Sequence, residues 1–243
     1  TVVALADKLE TLVGLFGIGQ LPSGDKDPFA LRRHALGVLR ILIEKNLPLA
    51  LPDLVDAALG TFPEGTLSHA TARADVLAFV YDRLNGLLRE QGFSAQEVDA
   101  VVALHPAWGE IRRRLAAVRA FAALDESASL AAANKRVGNI LKKAEVEGPV
   151  DAHVNPALLQ EQAEKDLFAA LQRFVPEANA QFDAGDYTAS LQTLAVLRAP
   201  VDAFFDDVMV NAEQMDVRMN RLGLLKSLHE AMNRVADLSR LAA

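Results

Sequence analysis

The chain has 243 residues, no cysteine and a formal charge of −7, with 51% hydrophobic but only 6% aromatic side chains. That length can bury one large core or two ordinary ones, and the missing cysteine excludes disulfides and thiolate metal sites and points to a cytoplasmic protein. No stretch approaches the ~20 consecutive apolar residues that span a bilayer, and net acidity argues against a protein that coats DNA or RNA indiscriminately.

Alanine and leucine dominate while β-branched runs are scarce, so the composition predicts an all-α protein. Val2 to Phe16 carries apolar residues at helical spacing, with Gly14, Gly17 and Gly19 acting as a stop. Nothing there has the form of a signal peptide, and a helical pattern already under way at Thr1, without a methionine, fits a piece of a longer protein. Asp27-Pro28 reads as N-cap and first position of a helix running to about Lys45. The block DKLETLVGLFGIGQLPSGDKDPFALRRHALGVLRILIEKNL, from Asp7 to Leu47, resembles the end of the HD-like domain of the bacterial glycyl-tRNA synthetase beta subunit.

HD-type hydrolases hold metal through separated histidines, a His-Asp pair and a final aspartate, and Asp7 falls where that last ligand would stand. No His-Asp dipeptide occurs, and His34, His69, His105, His153 and His229 lie scattered without ligand spacing. A phosphohydrolase reading is therefore disfavoured, no metal ligand is assigned, and Asp7 reads as a capping or ion-pairing residue.

Pro48 and Pro52 bracket a break before a short helix from Asp53 to Leu59, and a long helix follows from Ser68 to Glu90. Ser94 and Glu97 form a capping box for the next helix, which Pro106 ends. Beside the single tryptophan, Trp108, His105 reads as a packing residue. Gly109 to Leu124 is a helix with Arg112, Arg113, Arg114 and Arg119; three adjacent arginines fan around a helix and cannot all meet one ligand.

The following helix is better organised. Leu130, Ala133, Val137, Ile140, Leu141 and Ala144 form its inner stripe, while Lys135, Asn139 and Lys142 recur on another face with Arg136 and Lys143 beside them. Between Trp108 and Lys143 eight basic side chains face three acidic ones in an otherwise acidic chain, a distribution suited to selective polyanion binding, although lysines also serve solubility alone. The segment ANKRVGNILKKA, from Ala133 to Ala144, resembles the opening of the DALR-type anticodon-binding domain.

After a linker from Glu145 to Asn155, the pattern predicts helices over Pro156–Phe174, Glu177–Ala184 and Thr188–Arg198, another from Pro200, and a last one from Asp216 to about Leu241. PVDAFFDDVMVNAEQMDVRMNRLGLL, from Pro200 to Leu225, is similar to the end of the DALR domain that closes arginyl-tRNA synthetases and the glycyl beta subunit. Together with the Asp7–Leu47 block, which arginyl enzymes lack, it resembles the glycyl family.

Two domains are expected: 1–125, the end of an HD-like domain with following helices, and 126–243, a DALR-like helical bundle. No nucleophile elbow, phosphate loop or zinc helix occurs, and Asp206-Asp207 point about 100° apart, so no catalytic residue is assigned. The resemblance implies a glycine–tRNA ligase in which this chain alone is non-catalytic. It grips glycine tRNA, while the alpha subunit of an α2β2 heterotetramer uses ATP with magnesium. Lysines and arginines would neutralise phosphates while Asn, Gln or Arg read exposed bases, and the cytosines at the second and third anticodon positions require acceptors for their amino groups. The candidates are Lys135, Arg136, Asn139, Lys142 and Lys143, and Arg218, Asn220 and Arg221. Arg218 and Arg221 have an intramolecular alternative, bridging Asp206, Asp207 or Glu213. A rival reading of the whole chain is a helical protein-interaction module without a direct RNA role.

Overall fold

The computed structural model describes residues 1–242, and every regular element among them is helical. Contacts divide them into two compact units. The first comprises 1–98 with 106–111, the second 99–105 with 112 onward, so the division passes through helix α5 (Ala95–Val102).

The first unit is organised on α1 (Val2–Gly17), which packs against α2 (Leu31–Glu44), α3 (Leu51–Leu59) and α4 (Ala72–Glu90). Leu5, Leu9, Leu12, Val13 and Phe16 form its buried stripe, joined by Val38, Leu39 and Leu42 from α2 and by Val76, Val80, Leu84 and Leu88 from α4. The Phe16 and Phe79 rings meet at 5.3 Å. Gly14 and Gly17 do more than stop the helix: a Cβ on Gly14 would press on the Phe62 ring, and one on Gly17 on Leu67, so both permit close approach.

Asp27 caps α2 from a distance. The helix begins at Leu31 rather than Pro28, after Ala30 adopts φ 55°, and the Asp27 carboxylate accepts from the backbone N–H groups of Leu31 (2.8 Å) and Arg32 (2.9 Å). Helix α3 starts at Leu51 and takes Pro52 into its first turn, where no N–H partner is needed. Helix α4 starts at Ala72, four residues later than the pattern predicts, because His69, Thr71 and Asp75 knit a side-chain cluster at its entrance, with the Thr71 hydroxyl donating to Asp75 at 2.8 Å. Trp108 is buried and donates its indole N–H to the Leu49 carbonyl at 2.7 Å. The Ser94–Glu97 capping box forms in both directions.

The second unit contains α6 (Ile111–Ala122), α7 (Ser127–Ala144), α8 (Gln162–Asp183), α9 (Tyr187–Ala195), α10 (Arg198–Asp207) and α11 (Met215–Met232), followed by a short 3-10 turn, Leu238–Leu241. Helices α8 and α9 form a hairpin, turned by Gly185 at φ +78° and capped by Asp186, whose carboxylate accepts from the Ala189 N–H at 3.0 Å. Its core joins Leu167 and Leu171 to Leu191, Leu194, Phe204, Leu224, Leu225 and Leu228.

Two helix ends differ from the sequence pattern. Helix α8 runs unbroken through Pro176, where a division was expected, because its buried residues continue to Ala178 and its two ends are anchored by tertiary contacts. Helix α11 stops at Met232 instead of continuing to Leu241. Asn233 exchanges amide hydrogen bonds with the buried Asn134 (2.9 and 3.0 Å) and accepts from the Leu238 N–H at 3.1 Å, so its side chain supplies the contacts that let the chain leave the helix.

Two arginines of the α6 run are turned to internal use. Arg114 is buried, donates to the carbonyls of Arg234 (2.7 Å) and Val235 (2.9 Å), and lies over the rings of Phe182 and Tyr187, while Arg113 covers Tyr187 and Arg234 covers Phe182 at 4.1 Å. Stacked guanidinium and aromatic faces attract through the ring quadrupole.

Candidate nucleic-acid interface

Helix α7 buries Leu130, Ala133, Val137 and Leu141 against the unit and leaves Lys135, Arg136, Asn139, Lys142 and Lys143 exposed. With ~100° per residue, Lys135, Asn139 and Lys142 share one face, and Lys142 and Lys143 sit in the last turn, where cations complement the helix dipole. Arg136 is fixed by stacking: its guanidinium lies 4.2 Å from the centroid of the Phe205 ring on α10. Two helical turns before Arg136, Ser129 donates to Asp202 at 2.6 Å and binds the same two helices. The result is a positively charged helix face with one guanidinium stacked on an aromatic ring, suited to backbone neutralisation and base stacking.

The start of α11 has a different character. Arg221 and Glu164 are both buried, with side chains 6% and 0% exposed, and pair at 2.8 Å (Nε to Oε1) and 3.2 Å (Nη2 to Oε2). The third arm of the guanidinium, Nη1, donates to the Met209 carbonyl at 2.7 Å and so holds the connection between α10 and α11. Glu164 also accepts from the backbone N–H groups of Gln160 and Glu161, closing the capping box that starts α8. Burial pushes its carboxyl up, but the hydrogen bonds from Arg221 and the two backbone donors outweigh burial and hold it below the usual carboxylate range.

Asn220 is buried beside this pair. Its carbonyl oxygen accepts from the Asn155 N–H (2.7 Å) and its amide donates to the Asn155 carbonyl (3.1 Å). The segment before Asn155 lies along α11: Ser227 donates to the Ala152 carbonyl at 2.8 Å, and a Cβ on Gly223 would collide with the His153 carbonyl oxygen. Asn220, Gly223 and Ser227 thus form the seat for the connection between α7 and α8.

Arg218 is half-buried and pairs with Glu147 at 3.2 Å, and Lys226 pairs with Glu145 at 2.8 Å, two ion pairs along the seam of α7 and α11. The Glu145 carboxylate raises the Lys226 ammonium above its ordinary value. The eight candidates therefore separate: Lys135, Arg136, Asn139, Lys142 and Lys143 lie together at the surface, Arg218 stands in a surface ion pair, and Asn220 and Arg221 are committed inside, correcting their expected role as readers of RNA. The partners of Arg218 and Arg221 are Glu147 and Glu164, not the neighbouring Asp206, Asp207 or Glu213, because the helix turns these arginines toward the segments flanking α7 and α8. Reading the sequence missed Glu164 and Glu147. Glu164 does leave a trace, three residues after Glu161 in a capping-box register.

Among the described residues no three His, Cys, Asp or Glu side chains come together as metal ligands, and no helix is long and apolar enough to cross a membrane. Asp7 is exposed on α1.

Residues 1–103 match the family described as glycyl-tRNA synthetase beta subunit, and residues 130–238 match the DALR anticodon binding domain. The second match covers α7 to the end of α11, the elements that carry the basic face and the buried ion pair. Similar curated proteins include the glycine–tRNA ligase beta subunits of Paracidovorax citrulli, 72% identical over 99% of this chain, Acidovorax sp., 71% identical over 99%, and Polaromonas naphthalenivorans, 68% identical over the whole chain. These relatives are longer: the chain spans 33% of the first two and 34% of the third. The two matched segments, in this order on one chain whose helices fold as two units, join features that neither segment alone would connect, and the chain belongs to the glycyl-tRNA synthetase beta subunit family.

Proposed function

We propose that the chain is the C-terminal, tRNA-gripping part of a glycine–tRNA ligase beta subunit, acting in the cytoplasm. Its second unit holds the anticodon stem-loop of glycine tRNA, while the alpha subunit, in an α2β2 assembly, uses ATP and magnesium to attach glycine. The observation that carries this reading is the exposed basic face of α7, Lys135, Arg136, Asn139, Lys142 and Lys143, lying within the segment that matches an anticodon binding domain. An anticodon loop offers a bent phosphate ribbon and splayed bases, and this face supplies cations for the first and a stacked guanidinium for the second.

A second reading, an assembly surface for a protein partner, has one observation in its favour. The first unit carries an apolar hollow of about 920 Å³ between α1 and α3, bordered by Leu5, Leu9, Leu54 and Ala58. The two readings concern different units and are separable. Fluorescence anisotropy of the chain with glycine tRNA across a salt series tests the first. Binding that weakens steeply with salt supports it, and no binding at low salt overturns it in favour of the assembly reading.

A further inference from the structure

Two carboxylates follow directly on the basic face of α7. Lys142, Lys143, Ala144, Glu145, Val146 and Glu147 are consecutive, and Glu145 keeps helical dihedrals at the end of the helix, φ −66° and ψ −15°. In that geometry a side chain three or four residues on lies beside the one that precedes it, so Glu145 can turn back to Lys142 and Glu147 to Lys143. Carboxylates at a helix C-terminus also oppose its dipole, which favours pairing them with a nearby cation. Left free, they would neutralise the two lysines or repel the phosphates of an approaching RNA.

The structure sends both carboxylates the other way. Glu145 accepts from Lys226 at 2.8 Å and Glu147 from Arg218 at 3.2 Å, while Lys142 and Lys143 stay exposed and enter no ion pair among the described residues. Arg218 and Lys226 stand eight residues apart on α11, a little over two turns, and so share one face of a helix that packs on α7. Their side chains are recessed, each 26% exposed, against 42% for Glu145 and 68% for Glu147. The backbone after Glu147 is fastened to the same helix by Asn220 and Ser227, which keeps the two glutamates within reach of their cations. An exposed ion pair adds little to stability, so what these two pairs chiefly fix is the place of the negative charge.

We propose that Arg218 and Lys226 are positioning residues for RNA binding, holding Glu147 and Glu145 away from Lys142 and Lys143 and so keeping the end of the α7 basic face free for phosphates. This inference rests on the tRNA-binding reading and gives Arg218 an indirect part in it.

The test is anisotropy of the chain with glycine tRNA at low and high salt, for Lys226→Met and Arg218→Gln. Each is measured alone and with its partner neutralised, by Glu145→Gln or Glu147→Gln, and melting curves show that every variant is folded at the assay temperature. Each cation variant alone is expected to bind ~3-fold or more weakly at low salt, a loss that high salt screens. Neutralising the released carboxylate is expected to restore affinity to within ~2-fold of the native chain, a coupling that a merely structural pair would not show. An equal loss with and without the glutamine substitution, at either pair, overturns the inference, because the cation then meets phosphate itself or acts by net charge alone. Cation variants that bind as the native chain does overturn it as well. Both outcomes leave tRNA binding intact, whereas a native chain that binds no tRNA at low salt removes the reading beneath it.

Discussion

Arg221 and Glu164 stand 57 residues apart in sequence, yet they form an ion pair with both side chains withdrawn from solvent, at 2.8 Å. The pair joins the second turn of α11 to the first turn of α8, and its remaining hydrogen-bonding capacity is spent on backbone groups: the Met209 carbonyl on one side, the Gln160 and Glu161 N–H groups on the other. Removing one partner leaves a buried charge uncompensated. Arg221→Ala and Glu164→Ala should each destabilise the second unit by ~3–5 kcal/mol, read from denaturant midpoints, and the double variant should cost less than the sum.

The same pair sets an acid sensitivity. Because the folded state holds the Glu164 carboxyl below its unfolded value, its contribution is fully present above the unfolded value and is lost as pH falls through the folded one. Stability measured from pH 7 down to pH 3 should fall less steeply in Glu164→Gln than in the native chain, though the variant starts lower. A parallel slope would assign the acid dependence to other carboxylates.

Two glycines on helices should respond to alanine with opposite sign. On α11 Gly223 is where the His153 carbonyl crosses, and a methyl there forces the crossing segment away, so Gly223→Ala should cost ~1–3 kcal/mol. On α4 Gly86 meets nothing within 4 Å of an added Cβ, so Gly86→Ala should raise stability by up to ~1 kcal/mol through helix propensity. Thermal melts of the two variants beside the native chain check both signs.

How much of this was readable in the sequence follows from the range of the interactions. The Ser94–Glu97 box is local and appears where the residue pattern puts it. The inner stripe of α7 is periodic, so its lysine-bearing face could be named in advance. Asn220 and Arg221 stand among the RNA-contact candidates, Arg221 with an intramolecular alternative, because residue type does not say which way a helix turns, and their partners, Asn155 and Glu164, lie 65 and 57 residues away. The end of α11 depends on Asn134, 99 residues from Asn233, and no local breaker marks it. At Pro176 the local rule misled in the other direction, since packing on both sides carries the helix through.

The lysines of α7 should act on RNA affinity without acting on the fold. Lys135, Lys142 and Lys143 are exposed, and none takes part in an ion pair described above, so alanine at each should change stability by no more than ~0.5 kcal/mol. If they meet phosphates, each substitution should weaken binding alike for native and anticodon-altered tRNA and lower the slope of log affinity against log salt by about one. A variant that instead changed base preference would assign its lysine to a base edge.

Pro176 offers a test of how far tertiary packing carries a helix against its own sequence. It lies inside the 22-residue α8 and is exposed, so its ring serves no core contact, while it removes one backbone hydrogen bond and crowds the preceding turn. In an unconstrained helix interior, proline is less favourable than alanine by ~3 kcal/mol, and the stiffer unfolded chain that proline confers returns ~1 kcal/mol of that. Pro176→Ala should therefore stabilise the second unit by ~1–2 kcal/mol, raising its melting temperature by several degrees. Hydrogen exchange should show the largest gain in protection at residues 173–177, since the restored amide donates within that turn. A loss of stability on this substitution would mean that the backbone geometry proline imposes on α8 is what aligns Glu164 with Arg221 at one end and Phe182 with Arg114 at the other.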